Sequence, residues 1–199
     1  MRIKHWMIKD VITISPEATV EEAIQLMKKH SIRHLPVVEG DELVGLVTES
    51  SIRQYTLPSL KDTLPIKEVM ILNPITVDAE ATIDEAARLI HRHKIGGLPV
   101  TQAGKLVGII TVTDLLEAFI ELMGILRSSS RLDVVPAEDK TFEEVLDIIR
   151  EHGGRVISVG MDIHPSGQKV YYVRLEKCPL DSIAAALEMA GHQIISLVE

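Results

Sequence analysis

The sequence predicts an α+β protein built from a duplicated strand-helix-strand-strand-helix unit followed by a separate β-α-β-β-α-β tail. Three observations carry that prediction. A block beginning near Met7 recurs near Met70 at a constant offset of 63 residues; the small polar run Arg127-Ser128-Ser129-Ser130 interrupts the apolar pattern; and beyond it short apolar strands alternate regularly with two helical patterns. The duplication is regular along its whole length. Ile12-Thr13-Ile14 matches Ile75-Thr76-Val77, and Ala18-Thr19-Val20-Glu21-Glu22-Ala23 matches Ala81-Thr82-Ile83-Asp84-Glu85-Ala86. Ile32-Arg33-His34-Leu35-Pro36-Val37 likewise matches Ile95-Gly96-Gly97-Leu98-Pro99-Val100.

Taken in order, each repeat opens on an apolar strand. Thr19 with Glu22, and Thr82 with Glu85, have the spacing of helix capping boxes, and they open helices over 20–30 and 83–93 whose Ala, Ile, Leu and Met residues fall at helical spacing. A Leu-Pro-Val strand, a polar turn (Glu39-Gly40-Asp41 or Gln102-Ala103-Gly104) and a second apolar strand through 43–47 or 106–110 then make a hairpin. Residues 55–65, with prolines near both ends, join the copies as a loop, and the last helix of the second copy runs from 115 to 126. The boundaries expected are therefore 1–64, 65–126 and 127–199.

The chemistry concentrates where the second hairpin strand becomes a helix, at Gly108-Ile109-Ile110-Thr111-Val112-Thr113-Asp114. A hydroxyl at the end of a sheet, the free N–H groups of a helix start and a carboxylate three residues on form a set that can hold the vicinal hydroxyls of a ribose. Thr-x-x-Asp is equally a capping pattern. The first copy, Gly45-Leu46-Val47-Thr48-Glu49-Ser50-Ser51, keeps the threonine but has Ser51 in place of the carboxylate.

With the Leu-Pro-Val hairpins and the Gly-x-x-Thr-x-x-(Asp or Ser) endings in register, residues 1–123 resemble a pair of CBS (cystathionine-β-synthase-type) domains. The resemblance implies that the two repeats pack as a Bateman module whose clefts bind adenosine-containing ligands, AMP, ADP, ATP or S-adenosylmethionine, as regulators and not as catalytic cofactors. Carried over residue by residue, Thr111 and Asp114 match the ribose pair and Gly96 and Gly97 the positions beside the phosphates. Ile12 and Ile32 of the other repeat would hold the adenine. In the second cleft Thr48 and Ser51 stand at the ribose, Arg33 and His34 at the phosphate side, and Ile75 and Ile95 at the adenine walls. The serine departs from the family pattern.

The tail reads as a strand over 131–135, a helix over 142–152 capped by Thr141 with Glu144, strands over 156–162 and 170–175 around His164-Pro165-Ser166-Gly167, a helix over 182–190 and a last strand over 193–198. This order is ferredoxin-like, and behind a CBS pair it resembles an ACT domain. The three-part arrangement is similar to the acetoin-utilisation (AcuB) type. Amino-acid-binding ACT domains usually have a glycine in the loop after the first strand. Residues 136–142 contain none.

Composition bounds the function. A net charge of −8 argues against nucleic acid or an anionic membrane as the main partner, and no apolar run approaches 18 residues, so the cytoplasm is the expected compartment. The single cysteine, Cys178, excludes an intrachain disulfide and a cysteine-cluster metal site, and no histidine pair has metal-ligand spacing. No catalytic constellation can be nominated from spacing. The sequence therefore points to a regulatory adenosine-nucleotide sensor, not an enzyme, that forms a homodimer through helix faces carrying Ile52, Leu115, Leu116, Phe119 and Leu122 and acts on a regulated protein partner. The alternative is a ligand-free assembly module.

Overall fold

A strict crosswise symmetry governs the N-terminal part of the chain. In the computed structural model, which describes residues 1–55, 62–164 and 167–199, the start of each repeat packs on the other repeat. The N–H of Ile3 donates to the carbonyl of Ala81 at 3.0 Å, and its counterpart Ile66 donates to Ala18 at 2.8 Å. Ile8 exchanges two backbone hydrogen bonds with Ile109, while β3 (Ile71–Leu72) pairs with Leu46 and Gly45. Glycine at 45 and 108 makes this possible. A Cβ on Gly45 would lie 2.5 Å from Sδ of Met70, and one on Gly108 would lie 2.5 Å from Sδ of Met7.

The helices expected over 20–30 and 83–93 form with those bounds, while the one expected over 115–126 spans 112–122. α1 (Val20–His30) has the full capping box, with Thr19 Oγ1 accepting from Glu22 N–H and the Glu22 carboxylate accepting from Thr19 N–H at 2.7 Å. Its apolar face buries Val20, Ala23 and Met27 in a core that includes Leu35, Val37 and Val47, and that core is closed by Ile66 and Val69 of the other repeat. The hairpin of β1 (His34–Glu39) and β2 (Glu42–Thr48) leads into the short α2 (Glu49–Ile52). The second repeat supplies β4 (Val77–Asp78), α3 (Ile83–His93), β5 (Gly97–Gln102), β6 (Lys105–Thr111) and α4 (Val112–Leu122). These strands form one sheet in the order β1-β2-β6-β5-β4, with β3 on β2.

Three expectations need correction. Of Ile12-Thr13-Ile14, only Ile14 pairs, in an isolated bridge to Val37, because the segment before it is already committed to the other repeat. Ile52 and Leu115, expected on an exposed apolar face, are 2% and 5% exposed and belong to the interior; Leu116 and Leu122 are more than half exposed. Thr141 stands at the N-cap of its helix without a side-chain cap bond, while Glu144 lies 3.9 Å from Lys140 Nζ instead.

The chain divides into compact units at Met1–Ala118 and Phe119–Glu199. In the second unit β7 (Ser129–Val135), α5 (Phe142–Glu151), β8 (Val156–Ile163), β9 (Lys169–Glu176), α6 (Asp181–Met189) and β10 (Gln193–Val198) follow the β-α-β-β-α-β order and form an antiparallel sheet, β10-β7-β9-β8. One face buries Leu132, Val134, Val173 and Leu175 with Val145, Ile149, Ile183 and Leu187 of the helices. Of the turn expected between β8 and β9, Pro165 and Ser166 lie outside the described residues, as do residues 56–61 of the loop between the repeats.

Candidate functional site

The crosswise packing places the expected site residues from opposite repeats around one cleft. A cavity of about 510 Å³, within the range of small-molecule sites, is lined by Thr111 and Asp114 of the second repeat and by Ile12 and Ile32 of the first, with Gly96 between them. Both isoleucines are half-buried. Thr111 ends β6 and Asp114 lies in the first turn of α4. One carboxylate oxygen, Asp114 Oδ2, accepts from Thr111 N–H at 2.7 Å and from Thr111 Oγ1 at 2.8 Å. The two readings of Thr-x-x-Asp are therefore compatible: a cap fixes the carboxylate at the cleft wall with both bonds on a single oxygen. Gly97 is buried beneath this wall, and a Cβ there would meet Ile110 O and Thr111 Cγ2 at 3.2 Å.

The equivalent cavity in the first repeat is smaller, about 230 Å³, and is lined by Thr48, Glu49, Ser50 and Arg53 together with Arg33, His34 and Gly96. Here Thr48 and Ser51 form a reciprocal capping box: Ser51 N–H donates to Thr48 Oγ1 at 3.1 Å, and Thr48 N–H donates to Ser51 Oγ at 3.0 Å. The Ser51 hydroxyl proton goes to the Thr48 carbonyl, also at 3.0 Å. Ile75 and Ile95 are half-buried and line neither of these two cavities.

Arg33 and His34, expected at the Thr48 cleft, line both cavities. His34 begins β1 opposite Thr48, and its Nε2 lies 2.9 Å from where a Gly96 side chain would start, so glycine at 96 leaves room for the imidazole. Burial, and after it the neighbouring Arg33 charge, holds the His34 imidazole below the usual histidine pKa. Asp10, which sequence reasoning passed over, adds a second carboxylate to the larger cleft. Its signal was its position directly after the exchanged segment, which only the pairing reveals.

In the second unit a cavity of about 720 Å³ adjoins the loop after β7 and is lined by Pro136, Lys140, Phe142, Lys169 and Tyr171 among others. The Ala137 N–H of that loop donates to Nδ1 of His192, a side chain only 3% exposed. Cys178 sits beside the buried Ser130, whose hydroxyl accepts from Cys178 N–H and donates to Cys178 O. Burial first, and the Glu199 charge second, push its thiol up in pKa, away from the reactive thiolate.

Two crosswise repeats enclosing two unequal clefts, one with a capped carboxylate, define a paired-repeat module. The family model of the CBS domain matches residues 3–57 and 66–121, more than half of the chain, and the protein belongs to the CBS-domain family. It is 43% identical over 114 residues to an inosine-5'-monophosphate dehydrogenase of Korarchaeum cryptofilum, a match covering 57% of this chain and 23% of that enzyme. The chain thus spans less than a quarter of that relative, in its CBS region. Among solved structures it resembles a protein of Vibrio cholerae assigned to acetoin utilization (AcuB), with a TM-score of 0.57 and 30% identity over 63% of this chain and 95% of that one. The CBS pair of protein MJ0100, solved with 5-methylthioadenosine and S-adenosyl-L-methionine, matches with a TM-score of 0.55 and 30% identity, covering 60% and 95% of the two chains. CBSX2 in complex with AMP matches with a TM-score of 0.55 and 25% identity over 60% and 96%. CBS pairs similar to this one therefore bind adenosine ligands. Among the described residues no helix is long and apolar enough to cross a membrane.

Proposed function

We propose that the protein is a regulatory sensor that binds an adenosine-containing ligand, AMP, ADP, ATP or S-adenosylmethionine, in the clefts between its repeats and passes the resulting conformational change to a protein partner. The observation that carries this reading is the convergence of Thr111 and Asp114 from one repeat with Ile12 and Ile32 from the other around a cleft of about 510 Å³. Asp114 Oδ1 carries none of the cap bonds and is the acceptor for ribose hydroxyls, while the two isoleucines sandwich the base. Similar CBS pairs with bound AMP or S-adenosyl-L-methionine support the ligand class.

The parts of this reading are a first repeat over 1–64, a second over 65–126 and an ACT-like, ferredoxin-type domain over 127–199. The last pairs subunits in a cytoplasmic homodimer and takes no amino acid. The loop after β7 supports that: it lacks a glycine, and its Ala137 N–H is already committed to His192. Leu126, 85% exposed, and the exposed Leu122 and Ile125 beside it provide apolar surface for pairing.

Thermal denaturation with adenosine, AMP, ATP and S-adenosylmethionine tests the sensor. At about 100 times Kd a ligand of the folded state adds roughly 2.7 kcal/mol. If none of the four raises the melting temperature, the clefts are not ligand sites and the chain is an assembly module.

A further inference from the structure

The charges around the two clefts differ in balance, two carboxylates and one guanidinium in the larger against one carboxylate and two guanidiniums in the smaller, and overlap in space. Arg33 lines both cavities, and among the described residues its guanidinium makes no ion pair. Its backbone carbonyl accepts from Glu49 N–H at 3.0 Å, as the matching Gly96 carbonyl accepts from Val112 N–H at 3.1 Å, so Arg33 and Gly96 occupy equivalent places beside the starts of α2 and α4. Where symmetry would provide two side chains, one for each cleft, the sequence provides one cation and one glycine. The larger cleft sets Asp10 and Asp114 against Arg33. The smaller sets Glu49 against Arg33 and Arg53. In both, Arg33 offsets carboxylates that would repel a phosphate.

Building on the nucleotide reading above, we infer that Arg33 is a single phosphate reader shared by the two clefts, so that a phosphate-bearing ligand in one weakens the binding of a second in the other. One guanidinium carries a single positive charge, so a phosphate held by it in one cleft leaves it with little net charge to offer a phosphate in the other. When the larger cleft takes it, a phosphate in the smaller cleft meets Glu49 with Arg53 alone to balance it, and binds more weakly. Adenosine has no phosphate and makes no claim on Arg33. The two clefts are thus independent for the nucleoside and antagonistic for the nucleotide, and the chain responds to phosphate content in a graded way over a wider concentration range than two independent sites give.

Calorimetric titration of the full chain with adenosine and with ATP tests this. ATP should enter the Thr48 cleft of Ile12→Trp, in which the indole fills the base side of the larger cleft and disables it, about tenfold more tightly than it enters that cleft as the second ligand of the unmodified protein. Ile32→Trp serves if Ile12→Trp does not fold. Arg33→Gln should remove the difference and leave adenosine affinity within about twofold. An ATP affinity of the Thr48 cleft that is the same whether the larger cleft is disabled or filled overturns the shared reader while leaving the sensor intact. Absence of saturable heat with both adenosine and ATP overturns the sensor and the shared reader together.

Discussion

The two repeats share a backbone and differ in residues that line their clefts and at the hairpin turn. Asp114 of the second has Ser51 as its counterpart, Gly96 and Gly97 have Arg33 and His34, and Ala103 has Gly40. The capping geometry survives the first exchange, since Ser51 replaces the carboxylate in the box with Thr48, yet the hydroxyl spends its one proton on the Thr48 carbonyl. Duplication preserves the fold, and the clefts differ in charge and in size.

The largest effect expected follows from Asp114. Charge-assisted hydrogen bonds contribute about 1.5–3 kcal/mol against roughly 0.5–1.5 for neutral ones, so Asp114→Ala should weaken AMP in the larger cleft by about tenfold or more by calorimetry, and Ser51→Asp should tighten the smaller one. An AMP affinity unchanged in Asp114→Ala but abolished in Thr48→Ala would reverse the ranking of the clefts. Next come the two exchange glycines. Gly45→Ala and Gly108→Ala each force a Cβ to within 2.5 Å of a methionine sulfur and close to the backbone oxygen of Ile71 or Ile8, and should cost about 1–3 kcal/mol in denaturant unfolding. The two losses should be similar, since the contacts are symmetric. A loss in one repeat alone would show the exchange to be unequal.

A pH effect separates the repeats further, because the second has glycine where the first has His34. Burial, then Arg33, lowers the His34 pKa in the folded state, so below the unfolded value of about 6.5 the unfolded chain takes up the proton first. Stability should therefore fall as pH drops from about 6.5 toward the lower folded pKa, and His34→Gln should flatten that part of the melting profile. A profile unchanged by the substitution would remove His34 as the source. The smallest effect concerns the turns. Ala103 sits at φ 50°, a left-handed conformation that Gly40 occupies at φ 61° without a Cβ. Ala103→Asn should stabilise by about 0.5–1 kcal/mol, read as a higher melting temperature, because asparagine accepts this conformation more readily than alanine.

What was legible in the letters was local. The capping residues and helical spacing marked the bounds of α1 and α3, and the turn residues marked both hairpins, because these elements are decided by neighbours three or four positions apart. The contact between Thr111 and Asp114 was legible too, since the two residues interact within one turn. Pairing between distant segments was not. Nothing near Ile8 announces that its partner is Ile109, so the strand expected at Ile12-Thr13-Ile14 shrank to a single bridge and Asp10 went unnoticed. The placement of Arg33 and His34 at both clefts likewise depends on how close the two repeats approach, which the His34 ring against Gly96 reveals and the offset of 63 does not. Ile52 and Leu115 had the spacing of an outer face and proved to be interior, Ile52 within the core that holds Met27, Ile66 and Val69.

The exchange of Met7 onto Gly108 and Met70 onto Gly45 also bears on how such a protein arises. A single copy of the repeat has its opening segment pointing away from its own core, with a bare groove where that segment belongs, and it closes only by lending the segment to a twin. Two separate copies would therefore be complete as a reciprocal dimer before any gene was joined, and tandem fusion would merely tie together what already exchanged. Half of this module, expressed alone, should not remain a monomer: it should find either the missing half or another copy of itself.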